Sequence, residues 1–304
     1  LDKTRHWLLD AAPKSTTLQL CDPADLASFR DRIRSDRQVT EALDRHSRQL
    51  QPTDPAFFAS ALWANNRDRM RSHIRTLDQW AQKTLADVAD GGYERLIIFD
   101  GRSAKRLAYD FDVLWAEGLM PESAYRRIGA ALLALAYMFA DADYCRYGDF
   151  WAGAEPESGM AEALRDEMGD CPVPPNFASE YFSTTGCVAE LFNLHPQAER
   201  GRAWAAETAR HFISRFVRPD GTYGESLNYH THMFNELLCH LYPLARRGGT
   251  DFFGDSLVRG SFEHFIDMQM PPLQRSLIGG AHTALTADAE SVICAPLPAD
   301  GNSG

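Results

Sequence analysis

Apolar residues recur along the chain at spacings of three and four, the period of a helix with one buried face. The pattern predicts helices over 23–34, 37–49, 55–88, 103–117, 121–140, 159–168, 177–194, 197–217, 225–247 and 255–269. Two of them open with proline behind a capping residue, Asp22-Pro23 and Asp54-Pro55, and Pro121 and Pro196 mark two more starts. The third segment is expected to break near Asn65 and Asn66. Alternation with period two is scarce, and "RLIIF" at 95–99 is the only short β-like run. Connections such as "ADGG", "EGLMP" and "RPDGTYG" are short and rich in Gly, Pro and Asp. Helix after helix with short returns predicts an all-α fold of antiparallel helical hairpins. No sequence repeat of fixed period is visible, which favours an irregular toroid over a consensus solenoid.

The pattern changes after Met270, where helical periodicity gives way to Pro, Gly and Ala. This divides the chain into an N-terminal helical segment, 1–50, a helical domain, 51–270, and an irregular stretch, 271–304. The chain begins at Leu1 without Met or a signal-peptide pattern and is expected to be a mature form or a piece of a longer protein. The sequence alone sets no compartment.

Composition narrows the classes of function. Of 304 residues, 44% are hydrophobic, enough for a sizeable core. A net charge of −11 argues against nucleic acid as partner. No run reaches the ~20 apolar residues of a membrane span; "IGAALLALAYMFA" is shorter and reads as a buried helix. The six cysteines, at 21, 145, 171, 187, 239 and 294, form no CxxC pair, which excludes a zinc ribbon or a thioredoxin-type motif. Buried free thiols are the expected state, with one or two disulfides left open. There is no HExxH and no paired Cys/His spacing, so neither metal nor cofactor is expected.

Candidate chemistry gathers at the tight turn "DGTYG" and the helix after it. On a helical wheel, Leu227, Phe234, Leu238, Leu241 and Ala245 form the core stripe of 225–247. Glu225, Tyr229, His232, Glu236 and His240 cluster on the opposite face, and His230 lies at the edge of the stripe. A solvated back accounts for Glu236 and His240, and a satisfied core histidine accounts for His230. Tyr229 is the less ordinary residue: a large aromatic placed away from the core, one turn from a carboxylate and beside two histidines. Asn176, in "CPVPPNFASEYF", has the position of an N-cap.

Taken together, "YDFDVLW" at 109–115, "PNFASEYF" at 175–182, "HPQAERGRAWAAETARHFISRFVRPDGTYGESLNYH" at 195–230 and "PPLQR" at 271–275 resemble the helical domain of the heparinase II/III-like polysaccharide lyases. The likeness extends over roughly 55–280 and is most specific from Pro175 to Tyr229, with Asn176 and Tyr229 53 positions apart. The resemblance implies an incomplete (α/α) toroid followed, in the whole protein, by a C-terminal β-sandwich domain that this chain lacks. It also implies a periplasmic or extracellular location.

The activity implied is cleavage of a uronic-acid-containing polysaccharide by β-elimination. The C5 proton lies α to a carboxylate, so the developing charge must be stabilised and a base must reach C5. By resemblance, Asn176 donates to the uronate carboxylate, while Tyr229 removes the C5 proton as phenolate and protonates the leaving oxygen as phenol. A nearby cation must favour the phenolate, and His230, His232 or an arginine is a candidate. Glu225 is read as orienting the turn or pairing with an arginine. Trp63, Tyr181, Trp151 and Tyr223 are candidates for stacking on sugar rings, and Arg67, Arg71, Arg102 and Arg106 for binding acidic groups; core packing and solvated helix faces compete with these roles. Two other classes stay open. One is a toroidal glycoside hydrolase using two carboxylates, for which Asp220 and Glu225 are the conceivable pair. The other is a non-catalytic carbohydrate-binding domain.

Overall fold

The computed structural model describes residues 18–37, 40–41, 55–89, 97–140, 175–223, 227–247, 251–267, 269–270 and 274–275. In chain order these form α1 (Pro23–Ser35), α2 (Pro55–Trp63), α3 (Arg67–Ala89), α4 (Ile97–Ala116), α5 (Glu122–Ala140), α6 (Pro175–Leu191), α7 (Ala198–Phe216), α8 (Leu227–Arg246) and α9 (Ser256–Asp267). A two-residue hairpin, β1 (Gln269–Met270) and β2 (Gln274–Arg275), follows. The all-α expectation holds among the described residues. The expected helix at 159–168, most of that at 37–49, and the stretch beyond 275 lie outside them.

The expected break falls where the asparagines stand. Asn65 takes a left-handed conformation, φ 48°, and the Asn66 side chain accepts a hydrogen bond from the Arg69 amide at 3.1 Å, capping α3. The β-like reading of 95–99 is overturned at 97–99, which open α4, while 95 and 96 lie outside the described residues. Adjacent β-branched residues lower helix propensity only slightly.

Helix directions follow from the contacts. Gly186 of α6 meets the His240 ring of α8, and near the ends of both helices Glu190 pairs with Arg247, so α6 and α8 run parallel. Lys105 meets Glu180, so the first half of α4 lies against the first half of α6. Phe139 packs on Tyr181, and Thr185 bonds to the Ala136 carbonyl, so α5 runs against α6. The result is two layers. In one, α4, α6 and α8 are parallel neighbours; in the other, α3, α5 and α7 run the opposite way. Each layer supplies the apolar face the other needs to bury.

Helix α6 lies at the centre of this packing. Every described side chain from Ser179 to Leu191 is buried, including Glu180 and Glu190. Its hydroxyls are accommodated because they bond to nearby carbonyls. Ser183 donates to Ser179, Thr184 to Glu180 at 2.7 Å, and Thr185 across to Ala136 at 3.0 Å.

The C-terminal ends of α4, α6 and α8 are covered by the segment that leads into α1. Leu20 is fully buried there, and the Gln19 and Leu20 amides donate to the Asp112 carboxylate at 2.7–3.0 Å. The Gln19 side chain bonds to Asn193 and Arg247, Asp22 pairs with Arg246, and Tyr242 donates to Asp25. Burial pushes the Asp112 carboxyl up to about 6, although the backbone donors favour its charged form. Among the described residues no helix is long and apolar enough to cross a membrane. Among the described residues Cys21, Cys187 and Cys239 form no disulfide with one another.

Candidate functional site

With one end of the α4/α6/α8 layer covered, the opposite end carries the candidate chemistry. It is the end where all three helices begin. Ten residues before Gly186 stands Asn176, and eleven before His240 stands Tyr229. At ~1.5 Å per residue these steps are about 15 and about 16 Å, so positions 176 and 229 lie at the same level along two adjacent parallel helices. Eleven residues are also close to three full turns, so position 229 shares with His240 the line of α8 that faces α6. The side chains of Asn176, Tyr229 and His232 lie outside the described residues, as does Glu225 altogether.

At His240 this face is not a solvated back. His240 is fully buried, and its ring lies over the bare backbone of Gly186, where an added Cβ would come within 2.2 Å of it. Neither ring nitrogen has a hydrogen-bond partner among the described residues. Burial therefore lowers its pKa to about 4. The wheel misread this face because α8 belongs to a layer with a neighbouring helix on it, and a single amphipathic stripe describes only helices packed on one side.

One turn into α6 from Asn176 stands Glu180, fully buried and paired with Lys105 of α4 at 2.6 Å. This puts a desolvated ion pair directly behind the first turn of α6. The sequence reading passed over both residues. No local signal marks them: Glu180 lies four positions after Asn176 on the same helix face, but its burial and its cation depend on α4, 75 positions away.

The turn before α8 closes the same end. Val217 and Tyr223 form an antiparallel bridge, Gly221 sits at φ 82°, and Asp220 accepts from the Thr222 amide at 3.0 Å and its hydroxyl at 2.7 Å. Those bonds hold the Asp220 carboxyl below its usual range and give it a structural role in the turn. His230 is buried and stacks on the rings of Tyr223, 5.7 Å away, and His264, 5.6 Å away. Its Nε2 lies 3.0 Å from the Ser261 hydroxyl. Burial, reinforced by His264, lowers its pKa to about 4, so it is neutral at pH 7 and supplies no cation there.

The substrate-binding expectations need correction. Tyr181 is a core residue packed on Phe139, with ring centroids 4.8 Å apart, and Tyr223 is a core residue stacked on His230. Both rings are used up by protein contacts, so neither offers a face to a sugar. Arg67 is exposed, but it opens α3, which runs against α4. His73, further along α3, pairs with Asp110 near the end of α4, so Arg67 lies toward the covered end, away from 176 and 229. Trp63 ends α2 just before it, and its side chain lies outside the described residues, as do those of Trp151 and Arg102. Arg71 is engaged by Asp68 on the surface of α3. Among the described residues no three His, Cys, Asp or Glu side chains converge as a metal-binding group.

No protein-family model, no curated protein and no solved structure matches the chain.

Proposed function

We propose that this chain is the helical domain of a polysaccharide lyase that cleaves a uronic-acid-containing polymer by β-elimination. In this reading the two helical layers belong to an incomplete (α/α) toroid. Asn176 donates to the uronate carboxylate as charge develops on it. Tyr229 takes the C5 proton and returns a proton to the leaving oxygen. The observation that carries the reading is the common level of positions 176 and 229 on the parallel helices α6 and α8, derived from the Gly186–His240 and Glu190–Arg247 contacts. Two residues 53 positions apart in sequence have no reason to share a level unless the fold brings them to it. The order of motifs in the sequence supports the same pair. Since His230 is neutral, the cation that favours the phenolate must be another group, and His232 or an arginine remains the candidate.

The test is incubation with a panel of uronate polymers, sulfated and unsulfated, followed by ultraviolet absorbance of the unsaturated product. Tyr229→Phe is expected to lower turnover on the order of 10²–10⁴-fold while binding persists. Asn176→Ala is expected to lower turnover as well. Products with saturated ends, or elimination undiminished in Tyr229→Phe, would overturn the proposal.

A further inference from the structure

Helix α9 makes one contact that the proposed chemistry does not by itself require. The Ser261 hydroxyl donates to the Gly221 carbonyl at 3.1 Å and lies 3.0 Å from His230 Nε2. A serine hydroxyl has one proton and a carbonyl can only accept, so that proton goes to Gly221. With its proton on Gly221, the Ser261 oxygen is left to accept from His230, the arrangement in which the His230 proton lies on Nε2. One buried hydroxyl thereby joins three elements: the 217–223 turn, the first turns of α8 and the middle of α9.

The backbone shows that this junction is tight. A Cβ on Gly221 would come within 2.1 Å of the Gly260 carbonyl oxygen, so turn and helix touch main chain to main chain. Gly221 also holds φ 82°, a conformation that side-chain-bearing residues rarely adopt. Tyr223 and His264 both stack on His230, which restricts the movement of its ring. Ser261 and His230 are both 1% exposed, so water does not compete for these bonds.

We propose that Ser261 is a positioning residue that, through His230, locks the start of α8 and thus the reach of the neighbouring Tyr229. The inference rests on the lyase reading for its consequence in catalysis, but the junction itself does not. Proton abstraction depends steeply on alignment, and a displacement near 1 Å costs up to ~10² in rate. Removing the hydroxyl leaves the Gly221 carbonyl and the His230 N–H without their shared partner and frees the turn from the helix.

The experiment compares the wild-type protein with Ser261→Ala and Ser261→Thr, using whichever uronate polymer the wild type cleaves. Ser261→Ala is expected to keep its circular dichroism and its KM, within about twofold, while kcat falls on the order of tenfold. Ser261→Thr, which retains a hydroxyl, is expected to recover most of that loss. An unchanged kcat in folded Ser261→Ala would overturn the proposal, since a purely structural serine would alter stability and leave turnover per folded molecule alone. A second arm needs no substrate: nitrogen-15 NMR of the histidine rings should find the His230 proton on Nε2, slow to exchange, and fast to exchange in Ser261→Ala. A proton on Nδ1, or exchange unaffected by the substitution, would refute the junction. Absence of elimination by the wild type on every polymer would instead refute the lyase reading, and the NMR arm would still decide the junction.

Discussion

His240 offers a prediction that depends on the packing of α6 against α8 and on nothing assumed about function. An unperturbed histidine has a pKa of 6.5, and burial brings that of His240 to about 4. Between those values the unfolded chain holds a proton that the folded chain refuses. The His240 contribution to stability is therefore present above pH 6.5 and lost as pH falls through 4. The gap corresponds to about 3 kcal/mol, of which about 2 kcal/mol is gone by pH 5. Wild-type stability alone will not isolate this effect. Asp112, raised to about 6, acts with the opposite sign: its contribution is full below the ordinary aspartate value of 3.8 and is lost as pH rises through 6. His230 acts in the same direction as His240. The comparison that isolates it is wild type against His240→Leu, because Asp112 and His230 titrate in both proteins. Leucine has about the right volume and lacks the two ring nitrogens that have no partner among the described residues. The variant is thus expected to be at least as stable at pH 7. Urea unfolding followed by circular dichroism at pH 7, 6 and 5 supplies the measurement. The two stability curves should diverge toward low pH by about 2 kcal/mol at pH 5. Parallel curves would mean that His240 is hydrated or paired, and the α6–α8 register would lose its anchor.

Two further predictions concern the two ends of the helical layer. Lys105→Met should destabilise the protein by about 3–5 kcal/mol because it leaves Glu180 buried without its cation, and Lys105→Met/Glu180→Leu should recover most of that loss; a double variant as unstable as the single one would show that the pair is not the cause. Asp112→Ala should free the segment at 18–22, because the Gln19 and Leu20 amides lose their acceptor, at a cost of about 1–3 kcal/mol. Limited proteolysis under native conditions should then cut near those residues in the variant before the wild type, and equal protection in the two proteins would contradict the role given to Asp112.

What the sequence disclosed and what it concealed follow from how many neighbours a helix has. Boundaries were legible where local chemistry sets them: the proline starts of α1 and α2, and the asparagine break before α3, which Asn65 makes with its positive φ. Faces were legible for helices with one buried side and misleading for those with several. On α8, His240 read as solvated because charged and aromatic neighbours share its face, yet α6 covers it. On α6 itself, Ser179, Glu180, Ser183, Thr184 and Thr185 would pass for a wet surface, and all are buried. A polar helix can sit in a core when its hydroxyls bond to nearby carbonyls and its carboxylates find cations, and those cations come from Lys105, Arg202 and Arg247, far away in sequence. No window of local sequence contains that information. The same limit explains the candidate site. Asn176 and Tyr229 could be singled out by motif order, while Ser261, Lys105 and Glu180 could not, because their significance lies in contacts between helices. Tyr181 and Tyr223 failed as sugar platforms for the complementary reason: an aromatic beside a motif is as useful to the core as to a ligand, and only burial tells the two uses apart. It follows that the residues which hold this end of the molecule in shape act through contacts between helices, whether they lie inside the motifs, as Glu180, Gly221 and His230 do, or outside them, as Lys105 and Ser261 do.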